Sequence, residues 1–501
     1  MAISAVFALV LTALPVWALA SGYTDGDVIV VLRPSEKNSS GSFSASELSV
    51  EASDFAASVS GASVSEFYPS LSESEGGAFM MIHSESMDAE EFAEILRADP
   101  NVIAVSPNYK VHAAVVPNDN YYDECWGMEE IKAPSAWDTT TGKDTIYAAI
   151  IDSGIDYTNP DLTDNVAVDL SYRTLKTGNT DDAFDDYGHG THVAGTIGAK
   201  GNNTIGVAGL NWNCRMIPVK ALDSSGNGDL NTVIKAVDYV TGLINQGVNI
   251  RAVNLSLETY MALEPTHDNL VSSALWRAFK ALDNTNKAVI VVAAGNYGET
   301  VGEPTTKAQG KLIPGAGYYV YPASFKGLDN MISVGALARI SYLGTTYLAT
   351  FSNKGANIQA PGQAILSTWL QSASGNVKED GVSLRSAQGT SMAAPHVAGA
   401  AMLVASVLPE AATAYQIRQA LLFSSELDVA GALSYASSNY SSLAARGTEG
   451  RSYDDYNSYS EEDYIETGSG KTGSSGGCEG LTLGIFGLAA VIMLAIKKMS
   501  C

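Results

Sequence analysis

The sequence predicts an α/β protein: a three-layer parallel sheet with helices on both faces, preceded by a small α+β domain. Two observations predict it. Apolar strands at Thr145 to Ile151, Arg215 to Ala221, Arg251 to Leu257 and Ala288 to Ala293 recur with helical stretches between and after them. Short apolar strands separated by helices argue for a parallel sheet covered on both faces. The segment before residue 115 reads strand, helix, strand, strand, helix, strand, the order of a ferredoxin-like sandwich.

Composition bounds the function. The chain has 501 residues, too many for one ordinary domain. Its hydrophobic content of 46% is ample for a core. A net charge of −25 argues against nucleic acid and anionic lipid as partners. The cysteines, Cys125, Cys214, Cys478 and Cys501, are too few and scattered for a disulfide framework or a zinc site.

Residues 1–20 read as a signal peptide, with an apolar run ending in Ala18-Leu19-Ala20, though no Lys or Arg precedes the run. Residues 21–115 hold the small domain. Its strands are expected at Val28 to Leu32, Val64 to Tyr68, Ala78 to His83 and Val102 to Val105. Its helices are expected at Ser46 to Ser58, with Leu48, Phe55 and Ala56 inward, and at Met87 to Asp99, with Phe92, Ile95 and Leu96 on one face. Residues 116–436 form the large domain, with its clearest helices at Leu230 to Gln246, Asn269 to Leu282 and Ala412 to Leu422. Residues 437–480 are a Ser-, Tyr-, Gly- and acid-rich linker with little to bury. In residues 481–501, an uncharged run from Leu481 to Ile496 precedes Lys497-Lys498, which reads as a membrane-associated or sorting segment.

Three stretches carry chemistry. Ala148-Ala149-Ile150-Ile151-Asp152 is a strand ending in a carboxylate. Gly188-His189-Gly190-Thr191-His192 sets a histidine at the start of a small-residue helix. Gly389-Thr390-Ser391-Met392-Ala393-Ala394-Pro395 opens an uncharged helix, with Pro395 expected in its first turn. Ser391 at that helix tip is either a cap or a nucleophile whose oxyanion meets free N–H groups.

In the order Asp152, His189, Ser391, these motifs resemble the subtilisin-like serine protease family, or subtilases, nearly letter for letter. The resemblance implies peptide hydrolysis through a Ser/His/Asp triad and an acyl-enzyme. Ser391 would be the nucleophile, His189 the base, Asp152 its orienting carboxylate and Asn296 an oxyanion donor. His192 and His396 would be packing residues. Extended peptide substrate would lie along Gly226, Asn227 and Gly228 on one side and Ser256 and Leu257 on the other. Ala293, Ala294 and Gly295 would wall the pocket for the residue before the scissile bond. Glu258 departs from the family, which commonly has glycine there. Its charge would favour a basic side chain, or its bulk would narrow the pocket, or it would point to solvent.

The resemblance also implies a structural Ca²⁺ held by Asp119, Asp161, Asn203 and the carbonyls of Gly201, Ile205 and Val207. Asp181, Asp182, Asp185 and Asp186 make a second acidic cluster that is either a weak ion site or, as favoured, a solvated loop. The small domain is similar to the family's inhibitory propeptide, cut by the enzyme between about Lys110 and Val116. Cys125 and Cys214 are either a disulfide or two buried thiols. The expected protein is a self-processing, extracytoplasmic endopeptidase tethered by its C-terminus. A catalytically silent envelope scaffold and a transpeptidase using the same triad are the alternatives.

Overall fold

The computed structural model describes residues 23–33, 44–59, 61–109, 115–175, 182–305, 307–308, 311–312, 317–340 and 344–444. The expected signal peptide, most of the expected cleavage segment and the C-terminal run lie outside them. All described residues belong to one compact unit, Met1–Gly450.

The N-terminal portion runs β1 (Tyr23–Leu32), α1 (Ala45–Ser58), β2 (Ala62–Phe67), α2 (Pro69–Glu75), β3 (Phe79–Ser84), α3 (Ala89–Arg97) and β4 (Val102–Tyr109). The sheet order is β2-β3-β1-β4, with every pairing antiparallel. Short helix α2 is an addition to the expected order. Helix α1 starts on a capping box, Ser44 with Glu47. In α3 the inward stripe is Ala89, Phe92, Ala93 and Leu96. Ile95, expected inward, is 50% exposed. It is one residue off the i, i+3, i+4, i+7 stripe that a helix can bury.

The larger portion opens with α4 (Trp126–Glu130) and α5 (Ala133–Trp137). It continues β5 (Tyr147–Asp152), β6 (Tyr172–Arg173), α6 (His189–Gly198), β7 (Arg215–Lys220), α7 (Leu230–Asn245), β8 (Ile250–Leu255) and β9 (Thr259–Met261). Next come α8 (His267–Ser272), α9 (Ala274–Asn284), β10 (Val289–Ala293), β11 (Lys307–Ala308), β12 (Lys311–Leu312) and β13 (Tyr319–Tyr321). It closes with β14 (Met331–Ile340), β15 (Thr345–Leu348), β16 (Ile358–Pro361), β17 (Ile365–Thr368), β18 (Leu384–Ala387), α10 (Thr390–Val407), α11 (Ala414–Leu421) and α12 (Val429–Asn439).

The central sheet has the order β15-β14-β10-β8-β5-β7-β6, with β16 also on β14. All its pairings are parallel except β15 on β14, which closes one edge antiparallel. One face packs α7 and α9 through Val237, Val240, Trp276 and Phe279. The other packs α6, α10, α11 and α12 through Ile197, Val397, Ile417 and Leu433. This is the expected three-layer parallel sheet.

One expected helix and the expected domain end differ. The single helix expected from Asn269 to Leu282 breaks at Ser273, whose hydroxyl accepts from the Trp276 N–H and restarts the chain as α9. Helix α12 continues to Asn439, so the expected domain end at 436 falls inside a helix whose Ala432, Leu433 and Ala436 are buried.

Glycines let α6 sink into its surroundings. A Cβ on Gly190 would stand 2.1 Å from the Gly154 carbonyl, and one on Gly195 would stand 2.2 Å from Thr368 Oγ1. One helix among the described residues, Thr390–Val407, is long and apolar enough to cross a membrane, and its best window is 89% buried in this core.

Candidate active site

The site collects at the carboxyl ends of neighbouring parallel strands, where open α/β sheets leave their crevice. Asp152 ends β5, Ser256 follows β8, and Ala293-Ala294-Gly295-Asn296 runs out of β10. The Gly226-Asn227-Gly228 loop lies between β7 and α7. It is tied back by the Asp223 carboxylate, which accepts from the Ser225 and Asn227 N–H groups.

Asp152 is fully buried, and both its carboxylate oxygens meet His189 Nδ1, at 2.8 and 2.9 Å. The Ser153 N–H also donates to Asp152, at 2.7 Å. Burial of the His189 ring lowers its pKa, but the Asp152 charge and hydrogen bond, and the Asp185 charge, outweigh it and leave the pKa raised. The base thus keeps its proton to a higher pH than an ordinary histidine.

Of the acidic stretch before His189, Asp182 and Asp186 are exposed as expected and Asp181 lies outside the described residues, but Asp185 departs from the expected solvated loop. Asp185 is buried and caps α6. One oxygen accepts from the Tyr187 and Gly188 N–H groups, the other from the Thr191 N–H and hydroxyl, all within 2.9 Å. Asp186 pairs with Lys220 at 2.6 Å, and Lys220, itself fully buried, also donates to the Ser153 carbonyl. Each pairing joins residues distant enough that no local pattern signals it, apart from the small offset of Asp185 from the helix start.

Ser391 lies in the first turn of α10, where backbone N–H groups lack intrahelical partners. Its Oγ donates to the Ser256 carbonyl at 3.2 Å, and its own carbonyl accepts from Ser256 Oγ at 2.8 Å. Pro395 explains the second bond. It sits inside α10, beyond the first turn expected for it, and its missing N–H frees the Ser391 carbonyl four residues back. Among the described residues, no hydrogen bond joins Ser391 Oγ to His189. Such bonds are commonly long before substrate binds.

Asn296 Oδ1 accepts from the Thr390 N–H at 2.8 Å and its hydroxyl at 3.1 Å. That fixes the amide, leaving Nδ2 as the outward donor. A Cβ placed on Gly389 would lie 3.7 Å from the Ser391 nitrogen and 3.8 Å from Asn296 Nδ2, so both N–H sources border one small space beside the serine.

His192 and His396 are packing residues. His192 Nε2 meets the Ile365 and Arg385 carbonyls, and burial drives its pKa down to about 3. His396 Nδ1 meets the Met392 carbonyl, and burial lowers it to about 4. Glu258 does not point to solvent: its Oε2 is buried. Cys125 and Cys214 are both free, buried thiols bonded to different carbonyls, Tyr121 and Asn211.

Two of the residues expected around Ca²⁺, Asp119 and Asp161, have the chemistry to suit a hard cation. Asp119 and Asp161 are both buried, and Asp119 Oδ1 has no hydrogen-bond partner. Burial, with the Asp119 and Asp380 charges added, pushes the Asp161 carboxyl up to about 8. Paired buried carboxylates with an orphaned oxygen are what an oxygen-coordinated cation satisfies. Asn203 departs from expectation. Its Nδ2 donates to Asp161 at 2.8 Å while its Oδ1 accepts from the Ile205 N–H at 2.9 Å, so here it braces the carboxylate.

Comparison with known proteins identifies the family. The Subtilase family (Peptidase_S8) matches residues 143–453. A thermophilic serine proteinase of Bacillus sp. (strain AK1) is 34% identical over 338 residues, covering 67% of this chain and 70% of that protein. An extracellular protease of Xanthomonas campestris pv. campestris is 32% identical over 359 residues, covering 65% and 56%. Subtilisin amylosacchariticus of Bacillus subtilis subsp. amylosacchariticus is 32% identical over 327 residues, covering 64% and 69%. A solved protease structure from Pseudoalteromonas arctica superposes with a TM-score of 0.50 at 24% identity, over 64% of this chain and 100% of that one, a likeness of fold alone. With its sheet, its Asp–His pair and these relatives, the chain belongs to the subtilase family and is a serine-type endopeptidase.

Proposed function

We propose that Ser391, His189 and Asp152 hydrolyse peptide bonds through an acyl-enzyme. The observation that carries this reading is the buried Asp152 carboxylate closed on His189 Nδ1. The Ser391 oxygen attacks the scissile carbonyl while His189 Nε2 takes its proton. His189 then protonates the leaving amine, and water repeats the cycle on the acyl ester. Asp152 holds the ring and stabilises the imidazolium. The Ser391 N–H and Asn296 Nδ2 receive the oxyanion. Substrate runs as an added strand between Gly226-Asn227-Gly228 and Ser256-Leu257, its reacting residue against Ala293-Ala294-Gly295. The intact Asp–His pair speaks against a silent scaffold.

The N-terminal portion is, on this reading, an inhibitory propeptide removed by the enzyme itself. The chain is secreted, and its C-terminal segment tethers it to a membrane. A structural Ca²⁺ held by Asp119, Asp161 and the Gly201, Ile205 and Val207 carbonyls would pin the start of the catalytic domain to the 201–207 loop. Asn203 would have to turn its amide to join. A fluorophosphonate probe should label the purified protein and fail on Ser391→Ala. N-terminal sequencing should give a start near Val116 in the wild type and an uncut precursor in that variant. Labelling that survives Ser391→Ala sinks the reading.

A further inference from the structure

We propose that Glu258 makes this enzyme selective for a cationic side chain, lysine or arginine, on the residue preceding the scissile bond. The proposal rests on the protease reading above and names the substrate class of that same site.

The first argument is position. Ser256 exchanges hydrogen bonds with Ser391, so the segment that leaves β8 is in register with the nucleophile. Two residues on, the Glu258 carboxylate reaches across to the opposite wall. A Cβ on Gly295 would stand 3.0 Å from Glu258 Oε2, and the Asn296 N–H faces the same carboxylate. The acid therefore lies between the two segments that flank the reacting residue of a bound peptide.

The second argument is incompleteness. Glu258 Oε2 and the Tyr260 hydroxyl on the same segment are both buried without a well-formed hydrogen bond, although the two groups interact with each other and the Asn296 N–H with the carboxylate. Native structures seldom leave such atoms orphaned unless something completes them. Among the described residues no lysine or arginine pairs with Glu258. The groups acting on neighbouring Tyr260 are Glu258, Tyr297 and Glu299, none of them cationic. Burial pushes the Glu258 carboxyl up to about 7 against the opposing pull of the Tyr260 hydroxyl and the Asn296 N–H, and an arriving ammonium or guanidinium adds to that pull. The Tyr260 and Tyr297 rings, edge to face at 5.7 Å, add π-faces on which a cation is favoured.

The competing reading is that the Glu258 side chain merely fills the pocket and admits only small residues. The two separate cleanly. The full chain, with Glu258→Gln and Glu258→Gly beside it, is assayed on fluorogenic peptide amides that differ only in the residue before the cut: Lys, Arg, Leu, Phe or Ala. Each sample is titrated with fluorophosphonate to count reactive Ser391. The expected result is that wild type favours Lys and Arg over Leu in kcat/KM. That ratio should fall about 10- to 100-fold in Glu258→Gln, mainly through KM, because shape is kept and charge is lost. Glu258→Gly should show the same loss with a gain on Phe. A wild type that favours Ala, with Lys and Phe equally poor and equally improved in Glu258→Gly, overturns the proposal. So does a Lys preference that survives Glu258→Gln. Labelling without a basic preference sinks this inference alone, whereas neither labelling nor cleavage of any peptide sinks the protease reading with it.

Discussion

Ser256 and Ser391 are bonded to each other twice, hydroxyl to carbonyl in both directions. The Ser391 carbonyl receives no helical N–H from Pro395, so the Ser256 hydroxyl is the donor it has there. Ser256→Ala should therefore leave a carbonyl unpaired at the start of α10 and cost about 1–2 kcal/mol in denaturant unfolding. Pro395→Ala supplies the missing N–H. The double variant should recover part of that loss, a coupling that a double-mutant cycle measures directly. Strict additivity would refute the link.

Asn296→Ala should reduce kcat about 10²–10³-fold with little change in KM, the range being one found for such a donor in subtilisin itself. Thr390→Val removes one of the two bonds that aim the amide and should cost less, about threefold to tenfold. Steady-state kinetics on a neutral substrate reads both.

The acid limb of kcat/KM should lie above the ordinary histidine value of about 6.5, since neighbouring carboxylates hold His189 protonated to higher pH. Asp185→Asn removes a negative charge, so the limb should move to lower pH. Asp185 also caps α6, so Tm should drop with it, by the equivalent of about 1 kcal/mol. A limb that stays in place while Tm falls would show that the charge does not reach the imidazole.

Chelation should lower Tm by several degrees, an effect calorimetry reads independently of activity. Asp161→Ala should remove the response to chelator and added Ca²⁺ alike. An equal Tm with and without chelator in the wild type would end the cation assignment.

Lys220→Met should destabilise by about 1–3 kcal/mol, because the Ser153 carbonyl loses its donor. Activity per folded molecule should fall too, since Ser153 adjoins Asp152. Thermal unfolding beside active-site titration separates the two effects.

What was legible in the sequence was local. A strand ending in Asp152, a histidine opening a glycine-rich helix and a serine opening an uncharged one each declare themselves within ten residues, and the apolar runs give the sheet. What was hidden depends on partners far along the chain. Asp182, Asp185 and Asp186 look like a solvated cluster until Lys220 and the tip of α6 are seen to use the last two. Ile95 reads as core until the burial stripe is fixed by Phe92 and Leu96. Ser273 looks like mid-helix until its hydroxyl is found capping the next one. Glu258 could be read three ways because its side chain meets Gly295, in the segment that runs out of β10.

The glycines of α6 bear on any attempt to harden this enzyme against heat. Alanine in a helix normally gains up to about 1 kcal/mol over glycine. Gly190 and Gly195 cannot accept it, with oxygens already 2.1 and 2.2 Å from where a methyl would go. Gly242, in α7 on the opposite layer, has nothing closer than 3.9 Å to that point. An engineer should therefore rigidify the layer remote from the chemistry and leave the catalytic helix as it is.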